Sequence, residues 1–230
     1  MTEPTSFHRG QQLLRMHTKR PDPPSSFSLF GREWDLLDGV FAPVYCYSTQ
    51  LFTMWLPYPL DGTLLEVGSG TGVLAVTAAL RGCVQVTALD ISEVAVRNTL
   101  LNARRHGVED RVQVLRSDLF DALEADERFD LIFWNSNFIE PPVGFDNDSD
   151  LSAAIFDPDY STHRRFLRSA PQRLNGNGRL LLGFSNLGNR KLLKKLSDDA
   201  GLRIEKFRSS ESALPPGVRY EILELLPREG

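Results

Sequence analysis

Cysteine is scarce in this chain, and long apolar runs are missing. The two cysteines, Cys46 and Cys83, form no C-x-x-C pair, which argues against a disulfide scaffold or a zinc site, so each is expected to be a small buried residue and no metal is predicted. No apolar stretch reaches about eighteen residues, and the N-terminus shows no charged and then apolar signal sequence. We therefore expect no membrane partner, and the cytoplasm is the predicted compartment.

An excess of positive charge is also missing. The 230 residues carry a net charge of -4, which gives no global attraction to phosphate backbones and disfavours nucleic acid as a partner. Apolar residues make up 41% of the chain. That length and composition suit one well-buried domain and are too small for two typical ones.

The chain does contain a glycine-rich turn between an apolar run and a helix-like run. Residues 64–74 read LLEVGSGTGVL, the pattern of a buried strand that turns on glycines and enters a helix. Glycine has no Cβ and adopts positive φ readily, so a ligand can approach the backbone closely at such a turn. This turn is therefore predicted to be a binding site.

The spacing around the turn indicates which ligand it binds. In the dinucleotide fingerprint the glycines run G-x-G-x-x-G and the acidic residue ends the second strand. Here the pattern is E-x-G-x-G-x-G, with Glu66 before the glycines and Asp90 closing the second apolar run. A carboxylate at the turn repels a pyrophosphate but attracts an ammonium and a sulfonium. The charge pattern favours S-adenosylmethionine over NAD.

Strand and helix patterns alternate along the rest of the chain. Strands are predicted at 64–67, 84–89, 112–115, 129–134 and 179–184, with shorter helical patterns between them and a turn at 175–178. Residues 40–43 are predicted as a short strand and 48–56 as a helix. This alternation is typical of a doubly wound parallel sheet, where ligands bind at the carboxyl ends of the strands. Four polar residues fall at such ends, so one cleft should collect them: Glu66, Asp90, Asp118 and Asn135.

From residue 60 to 210 the chain resembles class I S-adenosylmethionine-dependent methyltransferases. The motifs are residues 66–72, 89–92, 116–120 and 133–138. The last reads Phe-Trp-Asn-Ser-Asn-Phe, where the N-methylating branch related to release-factor glutamine methyltransferases carries Asn-Pro-Pro-Tyr/Phe. The resemblance implies a Rossmann-like, seven-stranded α/β sheet, mostly parallel with one antiparallel strand near the C-terminus. Residues 202–207 and 219–226 are predicted to be the antiparallel pair that closes this sheet.

The resemblance also implies a domain division. Residues 31–230 form the single methyltransferase domain, and 31–60 lie over the cofactor cleft as a cap. Residues 1–30 contain four prolines and are predicted to be a partly mobile arm around a helix at 7–17, available for contact with a partner subunit. The polar stretch 143–160 is predicted to be a substrate lid.

Cofactor contacts follow from the matching positions. The resemblance implies that Glu66 and the glycine turn hold the amino-acid end of the cofactor, that Asp90 accepts from both ribose hydroxyls, and that Asp118 accepts from the adenine amino group. The predicted set is Thr49, Glu66, Gly68, Gly70, Thr71, Gly72, Asp90, Ile91, Asp118, Leu119 and Asn135.

Asn135 is the predicted catalytic anchor. In the family, the Asn oxygen and the next carbonyl accept the two hydrogens of a planar nitrogen, while an aromatic ring stacks on the substrate; Asn135, Ser136 and Phe138 occupy those places. Ser136 and Asn137 replace the two family prolines, which removes two φ restraints and leaves amine, ring nitrogen and oxygen acceptors open. Predicted substrate contacts are Tyr47, Asn137, Glu140, Tyr160 and His163.

Three functions remain open on these grounds. The leading hypothesis is N-methylation of a small molecule, as in secondary metabolism, because only residues 1–60 precede the fold and half of them are proline-rich. The second is a protein or peptide glutamine N-methyltransferase. The third is a cofactor-binding interaction module without catalysis, which the altered residues 136 and 137 would suit.

Overall fold

A computed structural model describes residues 5–19, 24–212 and 217–228. The helices are α1 (Ser6–Thr18), α2 (Ser48–Trp55), α3 (Val73–Leu80), α4 (Glu93–Arg105), α5 (Asp150–Ala153), α6 (Ser161–Ser169) and α7 (Arg190–Asp199). The strands are β1 (Ser26–Leu29), β2 (Arg32–Asp35), β3 (Thr63–Val67), β4 (Gln85–Asp90), β5 (Val112–Arg116), β6 (Phe129–Asn135), β7 (Leu174–Ser185), β8 (Leu202–Glu211) and β9 (Arg219–Pro227).

Seven of these strands form one sheet in the order β5-β4-β3-β6-β7-β9-β8. Strands β3 to β7 are parallel, and β9 runs antiparallel to both β7 and β8. The predicted Rossmann-like sheet with one antiparallel strand is confirmed. The chain leaves β3 toward β4 and β5 and then places β6 on the other side of β3. The carboxyl ends of β3 and β6 therefore flank the switch point, where ligands bind in such sheets.

Side chains of the central strands pack alternately on the two faces of the sheet, as the pleat requires. Leu64 of β3 belongs to a buried cluster with residues of α2, α3 and α4. The next residue, Leu65, belongs to a second cluster with residues of α6 and α7. Both leucines are completely buried, so each face of the sheet is covered by helices, and the strand ends are the place left for a ligand.

Two local predictions are wrong. Residues 40–43 form no strand; a hairpin of β1 and β2 precedes them, with Phe30 and Gly31 at positive φ in its turn. Residues 175–178 lie inside β7, because the pairing of β6 with β7 continues across a register shift. A Cβ on Gly178 would lie 2.7 Å from the carbonyl oxygen of Phe129. Here glycine permits a close backbone approach in a strand rather than a turn.

The helix of the N-terminal arm packs on the domain. Thr5 caps α1 by accepting from His8 N, and Gly10 lies so close to Phe156 that a Cβ would be 2.5 Å from its ring. The Nε2 of His17 accepts from Ala42 N at 2.9 Å. Residues 6–18 thus pack against the rest of the domain. Residues 1–4 and 20–23 of the predicted mobile arm lie outside the described residues.

Cys46 and Cys83 are both buried, as expected, and neither is in a disulfide. Within the described ranges, no helix combines the length and the apolarity that crossing a membrane requires.

Candidate active site

The glycine turn connects β3 to α3 and needs glycine for two different reasons. Gly68, Gly70 and Gly72 have φ of +68°, +55° and +76°, a region that side chains with a Cβ rarely adopt. At Gly72 a Cβ would lie 2.8 Å from Cγ2 of Thr99 on α4, so packing excludes it. At Gly70 no neighbouring atom lies within 4 Å of the Cβ position, and the backbone there borders the open cavity.

Two carboxylates stand beside this turn, one buried and one half-buried. Glu66 is 4% exposed, and its Oε2 accepts from Ala75 N at 2.9 Å. Asp90 ends β4 and accepts from Gly70 N at 2.8 Å and from Ser92 N at 3.0 Å. Burial raises the pKa of both carboxyl groups, that of Glu66 well above its usual value. Buried anions without a cationic partner are costly, so this locus suits a positively charged ligand.

Glu66 and Asp90 lie at the ends of two neighbouring strands, and Asp118 and Asn135 lie at the ends of the next strand on either side, so the four residues form one row. Asp118 follows β5, and both of its oxygens accept from Nη1 of Arg165, at 2.9 and 3.0 Å. Asn135 ends β6 opposite Gly183 of β7, and its Nδ2 is 3.5 Å from Ser48 Oγ on α2. Across the sheet the order is Asp118, Asp90, Glu66, Asn135, because β5, β4, β3 and β6 are neighbours in that order.

A cavity of about 260 Å³ opens along this row. Of the predicted site residues, those that line it are Thr49, Glu66, Gly68, Gly70, Thr71, Asp90, Ile91, Asp118, Leu119, Asn135, Ser136, Asn137 and Phe138. Ile91 is exposed at the open side, and Leu119 adopts a φ of +51°. The tertiary structure thus brings all four sequence motifs together at one cavity.

Five predicted residues do not line the cavity. Gly72 faces α4, Tyr47 is exposed, and Glu140 accepts from Asn189 Nδ2 at 2.6 Å. Tyr160 and His163 are completely buried. The resemblance motif ends at residue 138, so nothing in the sequence indicated which way these later side chains point.

Tyr160 and His163 instead support the loop that follows β6. Tyr160 OH donates to Phe138 O and accepts from Asn189 N. His163 Nδ1 lies 2.6 Å from Oδ2 of Asp157. Burial raises the pKa of that carboxyl, but hydrogen bonds from His163 and from backbone N–H groups outweigh it and leave the pKa below its usual value. Neither side chain lines the cavity, so the structure does not place these two residues where a substrate in the cavity would contact them.

Sequence reasoning missed the residues that complete the cavity from distant segments. They come from α1, from the segment before α2, from the first residue of α2, and from α5 and the residues after it: Leu13, Phe41, Ser48, Asp150, Leu151 and Ile155. The predicted cap at 31–60 and the predicted lid at 143–160 contain all of these residues except Leu13, but neither prediction named the individual side chains. In the described part of the chain, no group of three or more His, Cys, Asp or Glu side chains is arranged to hold a metal ion.

A glycine turn, one buried and one half-buried carboxylate, and a polar strand end at the switch point form a Rossmann-type cleft that suits a cationic nucleoside. In agreement with this class, the chain belongs to the Methyltransferase small domain family, which matches residues 36–202. The prediction of a methyltransferase domain that uses S-adenosylmethionine is thereby confirmed.

Two relatives extend the comparison. The release factor glutamine methyltransferase of Rhodopirellula baltica is 37% identical over 131 residues, which cover 54% of this chain and 44% of that protein. The ribosomal protein uL3 glutamine methyltransferase of Bordetella pertussis is 29% identical over 192 residues, which cover 78% of this chain and 58% of that protein. The chain spans about half the length of the curated relatives it matches.

Among solved structures, the SAH complex of the protein SMU.776 superposes with a TM-score of 0.61 at 15% identity, covering 88% of this chain and 57% of that one. This likeness concerns the fold. The prediction of a small-molecule partner is wrong, because the named relatives are methyltransferases of a release factor and of a ribosomal protein. That prediction relied on the short segment before the fold, and the length of that segment does not determine what docks at the cavity.

Proposed function

We propose that this protein transfers a methyl group from S-adenosylmethionine to the side-chain amide nitrogen of a glutamine in a protein of the translation apparatus. The observation that carries the proposal is the position of Asn135, at the carboxyl end of β6 and on the same cavity as the glycine turn. The similarity of the chain to two glutamine methyltransferases supports the choice of acceptor.

The residues at the turn fit the cofactor. Bound S-adenosylmethionine supplies a methyl group on a sulfonium, which is already activated for displacement. Glu66 and Asp90 offer carboxyl groups whose charged form, disfavoured by burial, its cationic end would stabilise, and Gly70 leaves room for it against the backbone. Asp118 and Ile91 line the same cavity and are the proposed contacts of the adenine end.

Asn135 has the chemistry to hold a planar amide. Its Nδ2 faces Ser48 Oγ, so its Oδ1 is the atom left to accept a hydrogen from the acceptor nitrogen. Ser136 supplies a second carbonyl directly after it, and its Oγ donates to Gly183 O at 2.8 Å, which fixes the loop on β7. With both amide hydrogens held by acceptors, the nitrogen lone pair is directed along the transfer path. One of these hydrogens leaves as a proton to solvent when the N–C bond forms and the carbon–sulfur bond breaks. Such orientation accounts for much of the rate in a bimolecular displacement.

Apolar side chains also line the cavity that Asn135 borders. Phe138, Leu151 and Ile155 line it, and Phe138 packs edge to face on Phe184. Apolar walls exclude water, which strengthens the hydrogen bonds made inside. Phe138 is the proposed surface on which the glutamine amide lies.

The experiment is transfer of a labelled methyl group to purified release factor and to purified protein uL3, with tandem mass spectrometry to locate it. We expect one methyl group on a glutamine side chain. Asn135→Ala should lower kcat by about 100-fold or more, because orientation of the nucleophile is lost, while calorimetry shows cofactor affinity within about twofold of wild type.

Two results would contradict the proposal. If the protein binds the cofactor but modifies no glutamine in either substrate, the acceptor is wrongly assigned. If Asn135→Ala transfers the methyl group at the wild-type rate, the role of Asn135 is wrong even where glutamine is the acceptor.

A further inference from the structure

One side chain connects the loop after β6 by hydrogen bonds to a segment 16 to 19 residues later in the chain. Asn137 Nδ2 donates to Ala153 O at 2.9 Å and to Phe156 O at 3.0 Å. Backbone contacts follow the same path, since Asp157 N donates to Ile139 O at 3.0 Å and Ile139 forms a parallel bridge with Phe156. The loop and the segment 153–157 are therefore joined at several adjacent residues.

The fastened segment forms one wall of the cavity. Leu151, Ala153, Ala154 and Ile155 line the cavity together with residues 135–138. We call residues 150–157 the acceptor wall, because they adjoin the loop where the acceptor nitrogen would meet Asn135. A second side chain strengthens it, since Asn147 Oδ1 accepts from Ser152 Oγ at 2.9 Å.

The two positions that differ from the resemblance motif supply these bonds. A proline would fix φ through its ring and would donate no hydrogen bond. Ser136 bonds to β7 instead, and Asn137 bonds to the acceptor wall. The loop is thus restrained by hydrogen bonds, and unlike ring restraints these also hold a second segment in place.

We propose that Asn137 is a positioning residue that joins the Asn135 loop and the acceptor wall into one rigid surface. It acts through the wall rather than on the acceptor, because its Nδ2 is committed to two carbonyls and its Oδ1 is buried, without a hydrogen-bond partner among the described residues. Its effect on catalysis rests on the proposed glutamine methylation. The tether itself does not.

The test compares three variants. Asn137→Ala removes both bonds. Asn137→Asp keeps the shape but turns a carboxylate oxygen toward two carbonyl oxygens. Asn186→Ala is the matched control, because Asn186 also joins two segments, through Gly217 O at 2.9 Å and Arg219 N at 2.8 Å, and does not line the cavity.

Hydrogen exchange followed by mass spectrometry measures the tether without any acceptor. In Asn137→Ala we expect amides of residues 150–157 to exchange about tenfold faster, as expected when two hydrogen bonds that close a local opening are lost. Asn137→Asp should exchange faster still, and Asn186→Ala should leave this segment unchanged. Unchanged exchange in Asn137→Ala, wild-type behaviour of Asn137→Asp, or equal loosening in Asn186→Ala would each overturn the proposal.

Kinetics with a glutamine substrate test the consequence. For Asn137→Ala we expect kcat to fall by about tenfold, since the acceptor is held less precisely, with an unchanged Kd for S-adenosylmethionine. Unchanged kcat and KM would refute the positioning role. If wild-type protein methylates no glutamine but the exchange pattern is as expected, the proposed function fails and the tether stands.

Discussion

Three glycines at positive φ allow the roles of the glycine turn in folding and in binding to be separated. Gly70, Gly72 and Gly107 have φ of +55°, +76° and +65°. A Cβ meets nothing within 4 Å at Gly70 and at Gly107, but it would lie 2.8 Å from Thr99 Cγ2 and 2.9 Å from Thr99 Cα at Gly72. Gly70 borders the cavity, whereas Gly107 follows α4 and does not line it.

The expected cost of each Ala substitution follows from these surroundings. A residue with a Cβ in the left-handed region costs about 1–2 kcal/mol, and the lower entropy of the unfolded chain returns about 0.4–1 kcal/mol. Gly70→Ala and Gly107→Ala should therefore each lose about 1 kcal/mol of unfolding free energy. Gly72→Ala adds overpacking against Thr99 and should lose about 2–4 kcal/mol in all.

Urea unfolding and calorimetric titration with S-adenosylmethionine measure the two effects. We expect Gly70→Ala to match Gly107→Ala in stability but to bind the cofactor about tenfold or more weakly, because its Cβ enters the space beside the backbone. If Gly70→Ala binds as tightly as Gly107→Ala, the cofactor does not approach this backbone and the reading of the turn is refuted. If Gly72→Ala is as stable as Gly107→Ala, the close contact with α4 is not present.

Three further predictions concern buried side chains. Burial raises the pKa of Glu66 above its value in the unfolded chain, so ionisation of this carboxyl group costs stability, and Glu66→Gln should raise the free energy of unfolding at neutral pH. This gain should vanish below the pKa of Glu66 in the unfolded chain. A gain that persists at such low pH would contradict this cause. The pKa of Asp157 is lowered, so Asp157→Asn should lose about 2–3 kcal/mol at neutral pH. This difference should shrink as pH falls through the native pKa of Asp157, which pH-dependent urea melts would detect, and a constant difference would argue against an ionised Asp157 carboxylate. Phe52→Ala should cost about 3–5 kcal/mol, since the ring is completely buried against Phe133; a thermal melt close to wild type would show that the site collapses around the deletion.

The sequence by itself determined the glycine turn, the succession of strands along the chain and the polar residues at the strand ends. These features are local: Leu64 and Leu65 show the periodicity of a buried strand, Gly70 marks a backbone position at positive φ, and Glu66 follows from its place beside the turn. A parallel sheet then brings the strand ends to one edge whatever the remaining residues are. For this reason most of the predicted cofactor positions line the cavity.

The sequence pointed to 31–60 and 143–160 as cover for the cleft, but only the tertiary structure decided which of their side chains close the cavity. Asn137 faces the carbonyls of residues 153 and 156, Tyr160 is buried beneath the loop, and α1 packs on Phe156. Residues 175–178 continue β7 because the residues on either side of them, Leu174 and Arg179, both pair with β6. Such contacts join residues far apart in the chain, and their geometry depends on how whole elements pack. Hydrophobic periodicity and turn residues report only the conformation of their own segment, so they carry no information about these contacts.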